Sequence, residues 1–492
     1  MDSSSQLYLN LGTDSGKTVS VRGIALDSRQ VQKGFLFAAL PGSNLHGATF
    51  IAQAIKRGAL AVLTDSQGVR IAQEQSNISP DQLIRAEKPR QELARLAAQY
   101  YQKIPKTCVA VTGTNGKTSV ATMCRQIWEA LDIDAVSIGT TGIEGGYSAA
   151  LKHTTPDAIA LHDHLSKIQK LGIEHVSIEA SSHGLSQSRL DGIEFDAAGF
   201  TNLTRDHLDY HPTVEDYLTA KLILFRERLK KKGTAVICLD GRWGEKIAQI
   251  CQSERKQTIL IGGKQSQIQI MGQRLLKNGQ EVTFRWGNTI YEKHLSLIGA
   301  FQLKNALVAS GLTIGSGCKA EEVFSVLEQL KPARGRMELI IEMTNGRTVF
   351  VDYAHTPDAL KSSLESLRKH VLNKIRVLFG AGGDRDQGKR KLMGAVAQKY
   401  ADYIYVTDDN PRNENPATIR TEIMLGCPEA TEIGDRSLAI YQAINDLQGG
   451  EALLIAGKGH EAEQIIGSTA IPFDDAEQAS IAARIVEGKN PG

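Results

Sequence analysis

Along most of the chain, short apolar runs alternate with segments of helical periodicity, and nothing else in the sequence limits the fold as tightly. Between about residues 107 and 330 the runs are TCVAVTG, HVSIEA, FDAAGFTNL and GTAVICL; a further series, TVFVDYA, IRVLFGAGG, ADYIYVTDD and EALLIAGKG, follows. Runs of strand length separated by helical segments predict a mostly parallel sheet covered by helices. The opening stretch has the same character in shorter pieces, TVSVRGIALDSR, GFLFAAL and LAVLT, with the amphipathic ATFIAQAIKRGA among them. The expected architecture is α/β in three domains. These are a small α/β domain over residues 1–88, a central phosphate-loop domain over 89–332 and a C-terminal Rossmann-like domain over 333–492. A linker falls at 86–90, where AEKPRQELARLAAQYY opens a helix with proline, and a second boundary falls near QLKPARGRME.

Composition excludes several classes. Lysine and arginine number 57 against 55 acids, a formal charge of +2, so no global field calls for nucleic acid or a membrane surface. Any anion site is therefore local. The N-terminus MDSSSQLYLN carries no basic region followed by an apolar core, and the ~18 successive apolar residues that a membrane span needs occur nowhere. A cytoplasmic protein is expected. Six scattered cysteines without a C-x-x-C pair suggest neither a zinc site nor a disulfide framework.

CVAVTGTNGKTSVATMCRQIWEAL reads as a buried strand, a glycine-containing loop and a helix. Backbone N–H groups of Gly113, Thr114, Asn115 and Gly116 can wrap a phosphate at the helix N-terminus, Lys117 adds a point charge, and the hydroxyl of Thr118, followed by Ser119, can hold magnesium. Gly113 and Gly116 stand closer together than in the commonest form of such loops. GTDSGKT at 12–18 looks similar but leads into a β-prone segment, and is expected to be only a loop.

Two further strand ends carry metal-ligand chemistry: HVSIEASSHG delivers Glu179, and GFTNLTRDHLDYH delivers His207. Each alone reads as well as an ion-paired acid or a loop histidine. TVEDYLTAKLILFRERLKKKG is expected to be one helix, capped by Thr213 and ended by Gly233, with KKK at its C-terminus. Tyr217, Lys221 and Phe225 then share a stripe, which sets an ammonium on an apolar face. Either Lys221 snorkels to water, or burial frees its amine to take up carbon dioxide as a carbamate that suits magnesium. DDNPRNENP at 408–416 is either a solvated turn or a fork that grips a group of both charges.

In their order, TGTNGKTS, TTPD, EASSHGL, TNLTRDHLDYH, the helix with Lys221, GAFQLKNALVA, ARGRME, VDYAHTPDAL, GGDRDQGKR, DDNPR and GKGHE resemble the Mur ligases over nearly the whole chain. The resemblance implies ATP-dependent addition of meso-diaminopimelate to UDP-N-acetylmuramoyl-L-alanyl-D-glutamate through an acyl phosphate, by a monomer. A lysine-adding member and a non-catalytic binder of UDP-sugar and ATP are the alternatives. It implies two magnesium ions held by Thr118, Glu179, His207 and the Lys221 carbamate, and nucleotide contacts from Asn305, Arg336 and Asp352. Leu26, Ser28, Ser43, Asn44 and Leu45 would meet the nucleotide-sugar; His153, Thr154, Thr155, Ser181, Gln187 and Arg189 would lie near its sugar and peptide. His46 stands where many relatives have an acid. Arg385, Asp409, Asn410, Pro411, Arg412, Gly457 and Glu461 would receive the amino acid, with Arg412 favouring a diacid because lysine would leave that guanidinium unpaired.

Overall fold

The structure is a computed structural model and describes residues 9–42, 45–75, 78–204 and 210–488. The chain gathers into two compact units. One comprises Met1–Lys117, Leu131–Ile259 and Gly311–Cys318; the other comprises Thr118–Ala130, Leu260–Ser310 and Lys319–Gly492. Residues of the expected central stretch contribute to both.

In the first unit, strands Leu9–Gly12 and Thr18–Val21 form an antiparallel hairpin. Its turn is made from GTDSGKT, which is thus a loop as expected, and Lys17 there pairs with Asp81. Four parallel strands follow: β1 (Gly23–Ala25), β2 (Phe35–Ala38), β3 (Ala61–Thr64) and β4 (Leu83–Arg85), hydrogen-bonded in that order. Helix α1 (Pro89–Tyr101) begins at its proline, whose missing N–H costs nothing in a first turn.

The larger sheet of this unit contains β5 (Thr107–Thr112), β6 (Ala135–Gly139), β7 (Gly142–Gly145), β8 (His175–Glu179), β9 (Phe195–Phe200) and β10 (Leu229–Cys238). Helix α2 (Lys117–Ala130) follows β5, α3 (Ala158–Lys170) precedes β8, α4 (Ser182–Ser186) follows it, and α5 (Val214–Ile223) precedes β10. The strand order is β10-β9-β5-β8-β6-β7, parallel except for β7. After β5 the chain builds one side of the sheet and then crosses to the other, so its winding reverses at β5. In open parallel sheets the crevice at such a reversal, outside the carboxyl ends of the strands, is where ligands bind.

The long helix expected over 213–232 is shorter. Thr213 caps it as predicted, its hydroxyl taking the Asp216 N–H at 3.1 Å, but α5 ends at Ile223 and a π-helical turn, Leu224–Arg228, leads into β10. Lys230, Lys231 and Lys232 therefore lie in a strand, and Gly233 continues it. Sheet pairing overrides helical propensity here: Leu229 registers with Phe195, and Lys230 reaches Asp196 at 2.6 Å.

In the second unit, β11 (Ile268–Leu276), β12 (Gly279–Trp286) and β13 (Thr289–Leu295) form an antiparallel meander, and α6 (Phe301–Gly315) follows. The C-terminal strands are β14 (Glu338–Glu342), β15 (Thr348–Asp352), β16 (Ile375–Phe379), β17 (Tyr403–Val406), β18 (Thr431–Glu432) and β19 (Ala452–Ala456), ordered β14-β15-β19-β16-β17-β18 with only β14 antiparallel. Alternation along each strand serves two cores: Val377 and Phe379 pack with Leu360 and Ile423, whereas Leu378 packs with Ile440 and Ile455. Helices α7 (Pro357–Arg368), α8 (Gly388–Tyr400), α9 (Pro416–Met424) and α10 (Arg436–Asn445) precede β19. Hairpin β20 (Glu463–Ile466) and β21 (Thr469–Pro472) and helix α11 (Asp475–Val486) follow it. All six cysteines are free, and no helix among the described residues is long and apolar enough to cross a membrane.

Candidate active site

The loop after β5 is built to present its backbone. Gly113 has φ +156° and Gly116 +87°, and a Cβ on Gly113 would sit 1.9 Å from the Thr201 hydroxyl. The end of β9 braces the loop. Asn202 accepts the Asn115 N–H at 3.0 Å and donates to the Asn115 carbonyl at 3.2 Å, and Thr201 donates to that carbonyl at 2.6 Å. Thr114 is buried, its hydroxyl accepting the Thr204 N–H at 3.0 Å, while Asn115 points outward. Lys117 donates to the carbonyls of Gly113 and Thr114 at 2.9 and 2.8 Å. Thr118 and Ser119 are buried in the first turn of α2.

Glu179 ends β8 with its carboxylate buried, accepting the N–H of Thr140 at 2.7 Å and the Thr140 hydroxyl at 3.2 Å. No cation pairs with it among the described residues, and a lone buried carboxylate is expensive. Tyr217, Lys221 and Phe225 are all buried, as the stripe predicts, and Lys221 is 1% exposed. The snorkelling alternative is thereby excluded. Its ammonium donates to the Gly113 carbonyl at 2.9 Å and lies 4.2 Å from the centre of the Tyr217 ring. Glu179 offers a magnesium ion a buried carboxylate on a strand end, whereas Lys221, as the ammonium that donates to Gly113, offers it no ligand and would do so only as a carbamate. His207 lies outside the described residues. Among the described residues no group of three or more His, Cys, Asp and Glu stands ready for a metal.

Thr155 gathers the next set. Its hydroxyl donates to the Glu179 carbonyl at 2.7 Å and meets the Ser181 hydroxyl at 3.0 Å; Ser181 in turn caps α4 by accepting the Gly184 N–H. Arg189 donates to the Thr155 carbonyl at 2.8 Å and to the Gln187 amide oxygen at 2.8 Å, and burial lowers its pKa. Thr154 meets Thr140 at 3.0 Å, and His153 is exposed beside it. In the N-terminal part, Ser28 donates to Gln53 at 2.7 Å and Leu26 is half-buried. Hydrogen bonds from Arg29 hold Asp27 down to about 2. Leu45 is exposed, and Ser43 and Asn44 lie outside the described residues. His46 caps the turn after it: its Nδ1 accepts the Ala48 N–H at 3.0 Å, as a capping carboxylate would, and its Nε2 donates to Asp65 at 3.1 Å.

In the second unit Arg336 donates to the Thr118 hydroxyl at 3.2 Å and stacks 4.6 Å from the Tyr353 ring centre, with its buried Nε unpartnered among the described residues. Asp352 accepts the Met337 N–H at 2.7 Å and the Ser363 hydroxyl at 2.8 Å. Burial pushes its carboxyl up against the opposing pull of Arg336, so in this arrangement Asp352 braces the turn that carries Arg336. Asn305, buried on α6, donates to Gln302 at 2.9 Å.

DDNPRNENP divides its labour. Asp408 pairs with Arg420, and Glu414 pairs with the fully buried Arg390 at 2.9 Å, so two of its three acids secure the fold. Asp409, Asn410, Pro411 and Arg412 remain at the strand end. Arg412 takes a left-handed φ of +49°, held by its N–H to the Ile465 carbonyl at 3.0 Å and its carbonyl to the Gly467 N–H at 2.7 Å. Its Nη1 donates to the Gly383 carbonyl at 2.9 Å, leaving Nε and Nη2 uncommitted among the described residues. Asn410 donates to Glu461 at 2.8 Å. Gly457, at φ +113°, lets Asp409 approach: a Cβ there would meet its Oδ2 at 2.7 Å. Arg385 is exposed on the loop after β16.

Sequence reasoning missed Asn202, Thr140, Lys458 and the Arg390–Glu414 and Arg436–Asp475 pairs. The first three were within reach, since each is a polar residue just past a strand end, and Lys458 adjoins Gly457, already singled out. The ion pairs, with partners 24 and 39 positions apart, left no local signal.

A phosphate loop at the reversal of a parallel sheet, with acids and arginines on the strand ends of a second α/β sheet, defines a phosphate-loop α/β enzyme. Three family descriptions cover most of the chain: "Mur ligase family, catalytic domain" matches residues 20–101, "Mur ligase middle domain" 111–313 and "Mur ligase, glutamate ligase domain" 335–459. The chain belongs to the Mur ligase family, whose members are ATP-dependent, amide-forming ligases. It is 45% identical over 469 residues, 95% of either chain, to a Mesorhizobium japonicum protein named UDP-N-acetylmuramoyl-L-alanyl-D-glutamate--2,6-diaminopimelate ligase. A Zymomonas mobilis protein of the same name is 46% identical over 464 residues, 93% of this chain and 94% of that one. A solved structure of a ligase so named superposes with TM-score 0.68 at 32% identity, covering 95% of each chain. A MurF ligase from Thermotoga maritima in complex with ADP (TM-score 0.61, 17% identity, 95% of this chain and 98% of that one) shares the fold.

Proposed function

We propose that this chain joins meso-2,6-diaminopimelate to UDP-N-acetylmuramoyl-L-alanyl-D-glutamate at the expense of ATP. The observation that carries this is its end-to-end likeness, at 45% identity, to proteins named for that reaction. The buried Glu179 and the Asp409 to Arg412 turn support it.

The chemistry explains why such residues are needed. A carboxylate repels the γ-phosphate of ATP and lacks a leaving group. In the first step a side-chain carboxylate oxygen of the glutamate takes the γ-phosphoryl group, giving acyl phosphate and ADP. In the second the deprotonated amine attacks the acyl carbon, and phosphate leaves from the tetrahedral intermediate as the amide forms. Backbone N–H groups of Gly113 to Gly116 and the Lys117 ammonium would hold the β- and γ-phosphates. Thr118, Glu179, His207 and Lys221 as its carbamate would hold two magnesium ions, which when bound screen the charge between the two anions.

Asn305, Arg336 and Asp352 form the nucleotide side. Ser28, Ser43, Asn44, Leu45 and the Thr154, Thr155, Ser181, Gln187, Arg189 set receive the UDP-sugar peptide. At the other substrate, Asp409 and Glu461 meet an ammonium, and the uncommitted edge of Arg412, with Arg385, meets a carboxylate. Domains at 1–88, 89–332 and 333–492, a monomer and a cytoplasmic location complete the reading.

The test is turnover. ATP, the UDP-linked dipeptide and meso-diaminopimelate together are expected to release phosphate and yield the tripeptide product, with L-lysine at least ~100-fold slower in kcat/KM because it leaves the half-buried fork of Arg412 unpaired. Equal rates for the two amino acids would remove Arg412 as the selector, and phosphate release without amide product would remove the function.

A further inference from the structure

Lys458 is fully buried, yet it lies in the turn after β19 with the amino-acid residues around it. Its ammonium has three N–H groups and all three are used. One goes to Asn410 Oδ1 at 3.3 Å, one to Glu461 Oε2 at 3.3 Å and one to the Glu463 carbonyl. Asn410 Oδ1 also accepts the Ile465 N–H at 2.9 Å, so both of its lone pairs meet donors. The amide is thereby fixed with its nitrogen toward Glu461, which it reaches at 2.8 Å, and one further N–H is left over. Glu461 Oε2 accepts from both Lys458 and Asn410, whereas Oε1 takes no hydrogen bond among the described residues. The side chain of Glu461 keeps 33% exposure, so the uncommitted oxygen borders solvent.

We propose that Lys458 is the positioning residue of the amino-acid subsite: it orients Asn410 and Glu461 together and leaves one carboxylate oxygen and one amide N–H for a zwitterionic ligand. The inference rests on the functional reading above, which assigns Asn410 and Glu461 to the incoming amino acid. Structure alone would be served as well by an apolar residue, since a well-packed apolar side chain often replaces a buried ion pair at no cost to stability. An ammonium whose every donor ends on the same small cluster does more than fill space.

Lys458→Met separates the roles. Expected is a ten- to hundredfold rise in KM for meso-diaminopimelate, with KM for ATP and for the UDP-linked substrate within about twofold of the parent and kcat little changed. An unchanged KM for the amino acid or a parallel rise in all three KM values would each overturn the proposal. Should the single variant fail to fold, Lys458→Met/Glu461→Gln leaves neither charge alone; its KM is expected to match that of Glu461→Gln, and a further tenfold rise would count against Lys458 acting through Glu461. A parent enzyme that does not turn over meso-diaminopimelate sinks the functional reading, whereas an active parent with an indifferent Lys458→Met sinks only this inference.

Discussion

Replacing Asp475 by asparagine isolates an ion pair whose two side chains are both fully buried in the C-terminal part. Arg436 and Asp475 are both 0% exposed and meet through two hydrogen bonds of 2.7 Å, Nε to Oδ1 and Nη2 to Oδ2. Nη2 also donates to the Ala456 carbonyl at 3.1 Å, and Nη1 to the Asp408 carbonyl at 3.3 Å. The pair therefore ties α10 and α11 to the carboxyl ends of β17 and β19, where Asp409 and Gly457 stand. Asparagine preserves volume and one acceptor but leaves the guanidinium buried without its counter-ion, a situation that costs about 3–5 kcal/mol. With one hydrogen bond retained, about 3 kcal/mol is expected. For a domain of ~150–250 residues, each kcal/mol moves the transition by about 2–4 °C, which gives a drop of about 6–12 °C. Scanning calorimetry with urea denaturation as a cross-check measures it, beside Asp81→Asn as a control. That substitution breaks the exposed Lys17–Asp81 pair, whose side chains are 69% and 39% exposed, and is expected to change nothing measurable. A loss below about 1 kcal/mol in Asp475→Asn would refute the reasoning, because a buried guanidinium would then have been tolerated alone.

Gly113→Ala sets a methyl group 1.9 Å from the Thr201 hydroxyl at a φ of +156°, and should lower kcat by at least ~100-fold through displacement of the phosphate loop; steady-state kinetics within tenfold of the parent would contradict the geometry. Acid should destabilise the protein through its buried imidazoles. Burial lowers the pKa of His370, whose Nε2 accepts the Gly299 N–H at 2.9 Å while Nδ1 donates to the Leu276 carbonyl, and burial lowers that of His162 likewise. The unfolded chain then binds protons first, so this stability is present above about pH 6.5 and is lost as pH falls through the depressed folded values. Urea midpoints measured from pH 7.5 to 5 should fall less steeply in His370→Gln, and an identical slope would exclude His370. Lys221→Ala is expected to lose activity and to regain part of it with added short carboxylic acids; full activity without them would remove the carbamate.

The strands and the phosphate loop were legible because their signals are local. Apolar runs bounded by glycine or polar turns specify β5, β8, β9, β15, β16, β17 and β19 whatever the rest of the chain does, and TGTNGKTS between strand and helix has few other readings. Lys221 was legible by period alone, since four-residue spacing from Tyr217 and Phe225 puts it on their face. The same periodic reasoning failed a few residues later. From 224 to 233 the pattern still favours helix, but pairing with β9 captures the chain at Leu229, a contact with a partner far away in sequence.

The sequence by itself determined most of the order of strands and helices, the glycine-containing loop between β5 and α2, and many of the polar residues at strand ends. Only the tertiary structure decided which of those polar residues are committed to the fold and which stay free. Asp408 and Glu414 are taken by Arg420 and Arg390, Asp409 is buried with one oxygen on the Asn410 N–H, one edge of Arg412 stays uncommitted among the described residues, and a lysine passed over in the sequence joins Asn410 to Glu461. The reason is physical. Backbone preference and apolar period act over a few neighbouring residues, whereas the partner of a buried charge is chosen by where the sheet brings distant strand ends together.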